Sequence, residues 1–128
     1  MNLQLPLPPR KCAPNGDKGS WRAKHTATKF YYQEAWAETL AIPYAERAAL
    51  AGQKLTIALT FCTKGSRGTG RYSPRDHDNA TASFKSGQDG ICKALGVSDS
   101  HEWLQSAGVA IDTSRGPYVL VEVAAVVK

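Results

Sequence analysis

Leu3, Leu5 and Leu7 alternate with polar or proline positions at the start of the chain. A period of two marks a half-buried strand, so residues 2–7 are predicted to form a first strand. Pro8 and Pro9 end it, because proline cannot donate to a ladder. Residues 10–20, rich in Pro, Gly, Asn and Lys, read as a loop. From residue 28 the period lengthens. Phe30, Glu34, Ala37 and Leu40 fall on one stripe among Ala, Glu and Gln, which predicts a helix over about 28–50. Pro43 either opens a second short helix or kinks a long one, and Gly52 is a stop. Residues 54–61 alternate cleanly, with Leu55, Ile57, Leu59 and Phe61 against Thr56, Ala58 and Thr60, and predict a strand.

A second helix is expected over about 79–95, with Phe84, Ile91 and Leu95 as its core contacts. Gly87 and Gly90 each weaken such a helix by roughly 1 kcal/mol relative to Ala, unless they serve close backbone packing. Residues 103–112 and 118–126 flank Thr113-Ser114-Arg115-Gly116-Pro117 and read as a terminal hairpin. The order strand, helix, strand, helix, strand, strand predicts an α+β fold. It would be a single domain over 1–128, with a mixed, mostly antiparallel sheet of about four strands packed with two main helices.

Composition narrows the partners. A chain of 128 residues, 42% hydrophobic, suffices for one modest core, and so small a core favours oligomerisation. The net charge of +5 and a pI near 9.2 suit either a polyanionic partner or a solvated basic surface. The distribution is more telling. Residues 10–29 carry six basic side chains against Asp17 alone, and residues 63–75 carry Lys64, Arg67, Arg71 and Arg75 with no acid. Basic charge on glycine-rich loops suits phosphate contact. Cys12, Cys62 and Cys92 are far apart and odd in number, which favours reduced thiols over a disulfide framework or a zinc site. Reduced thiols suit a cytoplasmic protein, which is the expectation here, and neither a signal peptide nor a membrane span is recognisable.

The densest chemical feature is Arg75-Asp76-His77-Asp78-Asn79. In an extended segment, carboxylates two residues apart point to one side. Asp76 and Asp78 could then share a hard cation, which would polarise a phosphodiester and acidify its bound water. Asn79 could add an oxygen ligand. Equally, the Asp and Asn residues could be ordinary helix caps. Lys85 and Asp89, four apart, share a helix face. A lysine there could stabilise charge developing on phosphate. Asp99 follows the helix, which would span roughly 25 Å, so it reaches the site of its own subunit only if the chain folds back.

These residues resemble the RusA-like endodeoxyribonuclease family, common in bacterial prophages. Leu3-Gln4-Leu5-Pro6-Leu7-Pro8-Pro9 is similar to its opening strand, Asp76-His77-Asp78-Asn79 to its Asp-x-Asp-Asn motif, and Asp89-Gly90-Ile91 to its Asp-Gly-Leu. The lysine falls six residues after Asn79 rather than three, and an acidic pair is reduced to Asp99 in Ser98-Asp99-Ser100. The resemblance implies a homodimer that resolves four-way or branched DNA junctions by Mg²⁺-dependent paired nicking. Asp76, Asp78 and Asp99 would be its metal ligands and Lys85 its catalytic lysine. Lys64, Arg67, Arg71, Arg75, Arg22 and Lys24 would grip flanking phosphates. Alternatives are a non-catalytic DNA-binding or recombination accessory protein, and a nuclease for flaps or plain duplex. A hydrolase built on His77 or His25 is disfavoured, because no Ser or Cys stands in a nucleophile motif with either. Trp21, Trp36, Trp103, Tyr31 and Tyr32 could stack on splayed bases, but packing is the commoner role, and Trp36 is assigned to core or dimer contact.

Overall fold

The computed structural model describes residues 1–14 and 21–126. Along the chain run β1 (Asn2–Leu5), a 3-10 turn (Arg10–Cys12), α1 (Trp21–Leu40), α2 (Tyr44–Ala48), β2 (Leu55–Cys62), α3 (His77–Ser83), α4 (Lys85–Leu95), β3 (Leu104–Asp112) and β4 (Tyr118–Ala125). The strands form one mixed sheet in the order β1-β4-β2-β3, antiparallel except for the β2–β3 pair. This is the expected α+β architecture. Residues 15–20, the end of the predicted first loop, lie outside the described residues.

The core forms where the alternating strand faces meet α1 and α4. Leu55, Ile57, Leu59 and Phe61 of β2 and Val119, Val121 and Val123 of β4 are buried against Tyr31, Ala35, Phe84, Ile91 and Leu95. Phe84 stands edge-on to both Tyr31 and Phe61, with ring centroids 5.8 and 6.1 Å apart. The buried face of α1 is Tyr31, Ala35 and Thr39, one position round from the predicted stripe; Phe30 and Leu40 stay exposed. Tyr31 tolerates complete burial because its hydroxyl donates to the Pro6 carbonyl at 2.7 Å. Trp21 and Trp36 remain exposed and Trp103 is half-buried, so tryptophan does not build this core.

Gly87 and Gly90 allow α1 and α4 to meet backbone to backbone. A Cβ at Gly90 would lie 2.3 Å from the Tyr32 carbonyl oxygen, and one at Gly87 2.7 Å from the Tyr31 ring. The first helix starts at Trp21, earlier than the pattern suggested, and Pro43 opens α2 instead of kinking one long helix. The second predicted helix divides at Phe84.

The terminal hairpin does not form: β2 lies between β3 and β4. The α3–α4 connection is long enough for a crossover, so β3 enters the sheet parallel to β2, and β4 takes the free side of β2. Residues 113–117 pass over the end of β2, where the Lys64 N–H donates to the Arg115 carbonyl at 3.0 Å. Gly116 makes this crossing possible, with φ +137° and a would-be Cβ 2.2 Å from the Cys62 carbonyl oxygen. Among the described residues, no helix is long and apolar enough to cross a membrane.

Candidate functional site

The basic loop between β2 and α3 is anchored to the end of β1. The Tyr72 N–H donates to the Pro8 carbonyl at 2.7 Å, and the Arg10 N–H to the Gly70 carbonyl at 3.4 Å. Arg71 is the brace of this arrangement. Its guanidinium, half-buried, reaches both the Leu7 carbonyl and the Glu34 carboxylate at 3.2 Å. A side chain so engaged holds the loop rather than offering a free cation to phosphate. Lys64, Arg67 and Arg75, by contrast, are exposed along the same loop.

The loop delivers the chain to Asp76, the N-cap of α3. Asp76 is extended (φ −139°, ψ 161°), and its Oδ1 accepts the Asn79 N–H at 2.8 Å. Its Oδ2 accepts the Asn79 side-chain amide at 2.9 Å. This is the capping role weighed above, and it assigns Asn79 as a donor to Asp76. His77 and Asp78 already belong to α3. The extended-segment argument for a shared side therefore fails, because residues two apart do not face each other on a helix. Both carboxylates are nevertheless exposed. Tyr72 lies near Asp76; burial and that carboxylate together raise its phenol above the ordinary value.

A second cluster forms at the start of α4. Lys85 Nζ donates to Asp89 Oδ1 at 2.8 Å and also pairs with the Asp99 carboxylate. The chain does fold back after α4: Gly96 ends the helix in a left-handed conformation, and the Val97 N–H donates to the Cys92 carbonyl at 3.0 Å. Asp99 is thereby returned alongside Asp89 and Cys92 of α4, within reach of the Lys85 ammonium, which spacing alone could not decide.

The three groups settle one another's charge. Burial opposes the Lys85 ammonium, but the hydrogen bonds and charges of Asp89 and Asp99 outweigh it and hold the pKa above the ordinary value. Hydrogen bonds from Lys85 and Asp89 pull Asp99 below the usual carboxylate range. Asp89 is pushed up, first by burial and then by Asp99. The neighbouring Cys92 thiol is pushed up to about 11 by burial and by these two carboxylates, which makes it a poor nucleophile.

Carboxylate oxygens suit Mg²⁺ in kind. Among the described residues, however, no three His, Cys, Asp or Glu side chains stand together as a metal-holding group. Asp76, Asp78 and Asp99 are therefore not assembled into the expected ligand set in the chain by itself. Asp76 is occupied as a cap and Asp99 by Lys85. The structure instead links Lys85, Asp89 and Asp99, of which sequence reasoning had given Asp89 no role at the site beyond its helical pairing with Lys85.

A cavity of about 540 Å³ opens between α1 and the α3–α4 pair, with Lys24, Lys29, Tyr32, Lys85, Ser86 and Asp89 among its walls. The sequence offers Tyr32 only as one of several aromatics that could stack on bases, counts Lys29 only within a basic stretch and gives Ser86 no role, because nothing local in the sequence brings α1 over α4. Lys24 joins this cavity. Arg22 does not; it packs its guanidinium 5.6 Å from the centre of the Trp21 ring and lines a separate groove with Lys11 and Phe30. No protein-family model, curated protein or solved structure matches the chain.

Proposed function

We propose that this chain is a metal-dependent, structure-selective DNA endonuclease of the RusA-like kind, which resolves four-way junctions by paired phosphodiester hydrolysis. The observation that carries the reading is the Lys85–Asp89–Asp99 cluster, which holds an ammonium charged at the wall of a basic cleft. Asp78, exposed, stands one turn before the cleft-lining Ala82 on α3.

In this reading Lys64, Arg67 and Arg75 hold the phosphates that flank the scissile bond, and Lys24 extends their surface. Lys85 faces the phosphate on which negative charge accumulates during hydrolysis, and a fixed cation there lowers the barrier without reorganising. Asp89 and Asp99 position it. The divalent cation is part of the proposal. Asp76, Asp78 and Asp99 are the oxygen donors that the resemblance assigns to it, and a bound Mg²⁺ would supply Lewis-acid polarisation of the phosphodiester. A homodimer belongs to the same proposal; Phe30, Trp36, Leu40 and Tyr44 expose large apolar side chains on α1 and α2, the residue types that subunit contacts cover.

A second reading, a DNA-binding recombination accessory protein without catalysis, is favoured by the cap bonds of Asp76. Cleavage of a synthetic four-way junction and a matched linear duplex separates the two. The nuclease should cut the junction with Mg²⁺ and not with EDTA. Asp78→Asn should lose about 10²-fold or more in rate while still binding. A junction that is bound tightly but never cut, with any divalent cation, would leave the accessory reading standing.

A further inference from the structure

The cavity between α1 and α4 has three properties that together describe a ligand. Its volume, about 540 Å³, falls in the range of small-molecule sites, roughly 300–1,000 Å³. Its α1 wall is cationic. Lys24 and Lys29 line it, and Asp89, the one carboxylate on its walls among the described residues, is already bound to Lys85. Its inner surface includes an aromatic residue, Tyr32. Ser86 lies on the same wall, its Oγ screened from solvent beside the Cys12 thiol.

We propose that this cavity binds one phosphorylated nucleoside unit. The phosphate lies toward Lys24 and Lys29, and the base rests against Tyr32. Charge and an aromatic side chain suit a nucleotide better than inorganic phosphate, which needs no aromatic wall, or a nucleoside, which needs no lysines. Such a unit could be a free nucleotide or an unpaired nucleotide of a DNA strand. Only the second source rests on the nuclease reading.

The test is NMR titration of the full chain with dAMP, deoxyadenosine, inorganic phosphate and a 5′-phosphorylated trinucleotide. dAMP should shift the Tyr32 and Ser86 resonances saturably, and deoxyadenosine or phosphate alone should bind about tenfold more weakly or worse. Lys29→Gln should weaken dAMP by about fivefold to tenfold. Ala82→Phe, at an exposed position on the cavity wall, should abolish binding while thermal melting shows an intact fold. A trinucleotide tighter than dAMP identifies a strand as the source; equal affinity identifies the free nucleotide. The inference is overturned if millimolar dAMP leaves Tyr32 and Ser86 unmoved, or if both variants bind it like the parent chain. Junction cleavage measured on the same preparations keeps the two readings apart. Cleavage without nucleotide binding removes this inference alone, and nucleotide binding without cleavage removes the nuclease reading alone.

Discussion

Lys85 and Asp99, fourteen residues apart in sequence, form an ion pair that ties the turn after α4 to the beginning of the same helix. Both side chains remain substantially exposed, so the pair adds little stability, at most about 1 kcal/mol. Its effect is positional. It places the Asp99 carboxylate and the Lys85 ammonium in one cluster with Asp89.

The cluster should show itself in an NMR titration of the aspartates. Asp99 should titrate below the ordinary range, because Lys85 and Asp89 hydrogen-bond its anion, and Asp89 above it, because burial opposes its charge. The signs for stability are opposite. The depressed Asp99 contributes stability above its unfolded pKa, and that contribution is lost as pH falls through its folded value. The raised Asp89 favours the fold when protonated, and that contribution is lost as pH rises through its folded value. The two partly cancel on acidification. Lys85→Met should raise the pKa of both. An Asp99 that does not move in that variant would show that the ion pair is absent in solution.

Asp76 carries a structural role and a proposed chemical one, and two substitutions divide them. Asp76→Ala removes the acceptor of the Asn79 N–H and should cost about 1 kcal/mol in urea unfolding. Asp76→Asn keeps a capping oxygen and should stay within a few tenths of a kcal/mol of the parent. If Asp76 is also a metal ligand, both variants lose junction cleavage. Full cleavage by a stable Asp76→Asn would confine the residue to its cap.

Gly90→Ala should destabilise although alanine is the better helix former. The added methyl meets the Tyr32 carbonyl oxygen at 2.3 Å and the Trp36 nitrogen at 3.1 Å, neither of which can retreat without moving α1. The expected loss is about 1–3 kcal/mol despite a propensity gain near 1 kcal/mol. A urea midpoint at or above that of the parent would mean that α1 and α4 are farther apart than described.

Arg71 and Arg75 lie on one loop but should behave differently. Arg71→Ala breaks the contacts to Leu7 and Glu34 and should lower stability by about 1–3 kcal/mol. Arg75→Ala, exposed, should leave stability within about 0.5 kcal/mol. It should instead reduce the log–log salt slope of DNA binding by about 1. An Arg75→Ala variant with an unchanged slope would remove that residue from the phosphate contacts.

What the sequence determined by itself is local. Alternation in residues 54–61 specified β2 and its buried face, and the 84, 91, 95 spacing specified the core side of α4, because backbone geometry alone decides which side chains share a face. The 75–79 segment announced a helix start, since Asp and Asn there satisfy amide groups that no helix can satisfy internally. Tertiary structure decided the rest. The side of α1 that is buried depended on Gly90 admitting its backbone and on Pro6 offering an acceptor to Tyr31. β3 and β4 were parted because a two-helix crossover sets β3 parallel to β2 and leaves β4 the other flank. The Lys85–Asp99 pair and the cavity beneath α1 arise only once separate elements have packed. Such contacts join residues distant in the chain, and local periodicity carries no information about which distant elements will meet.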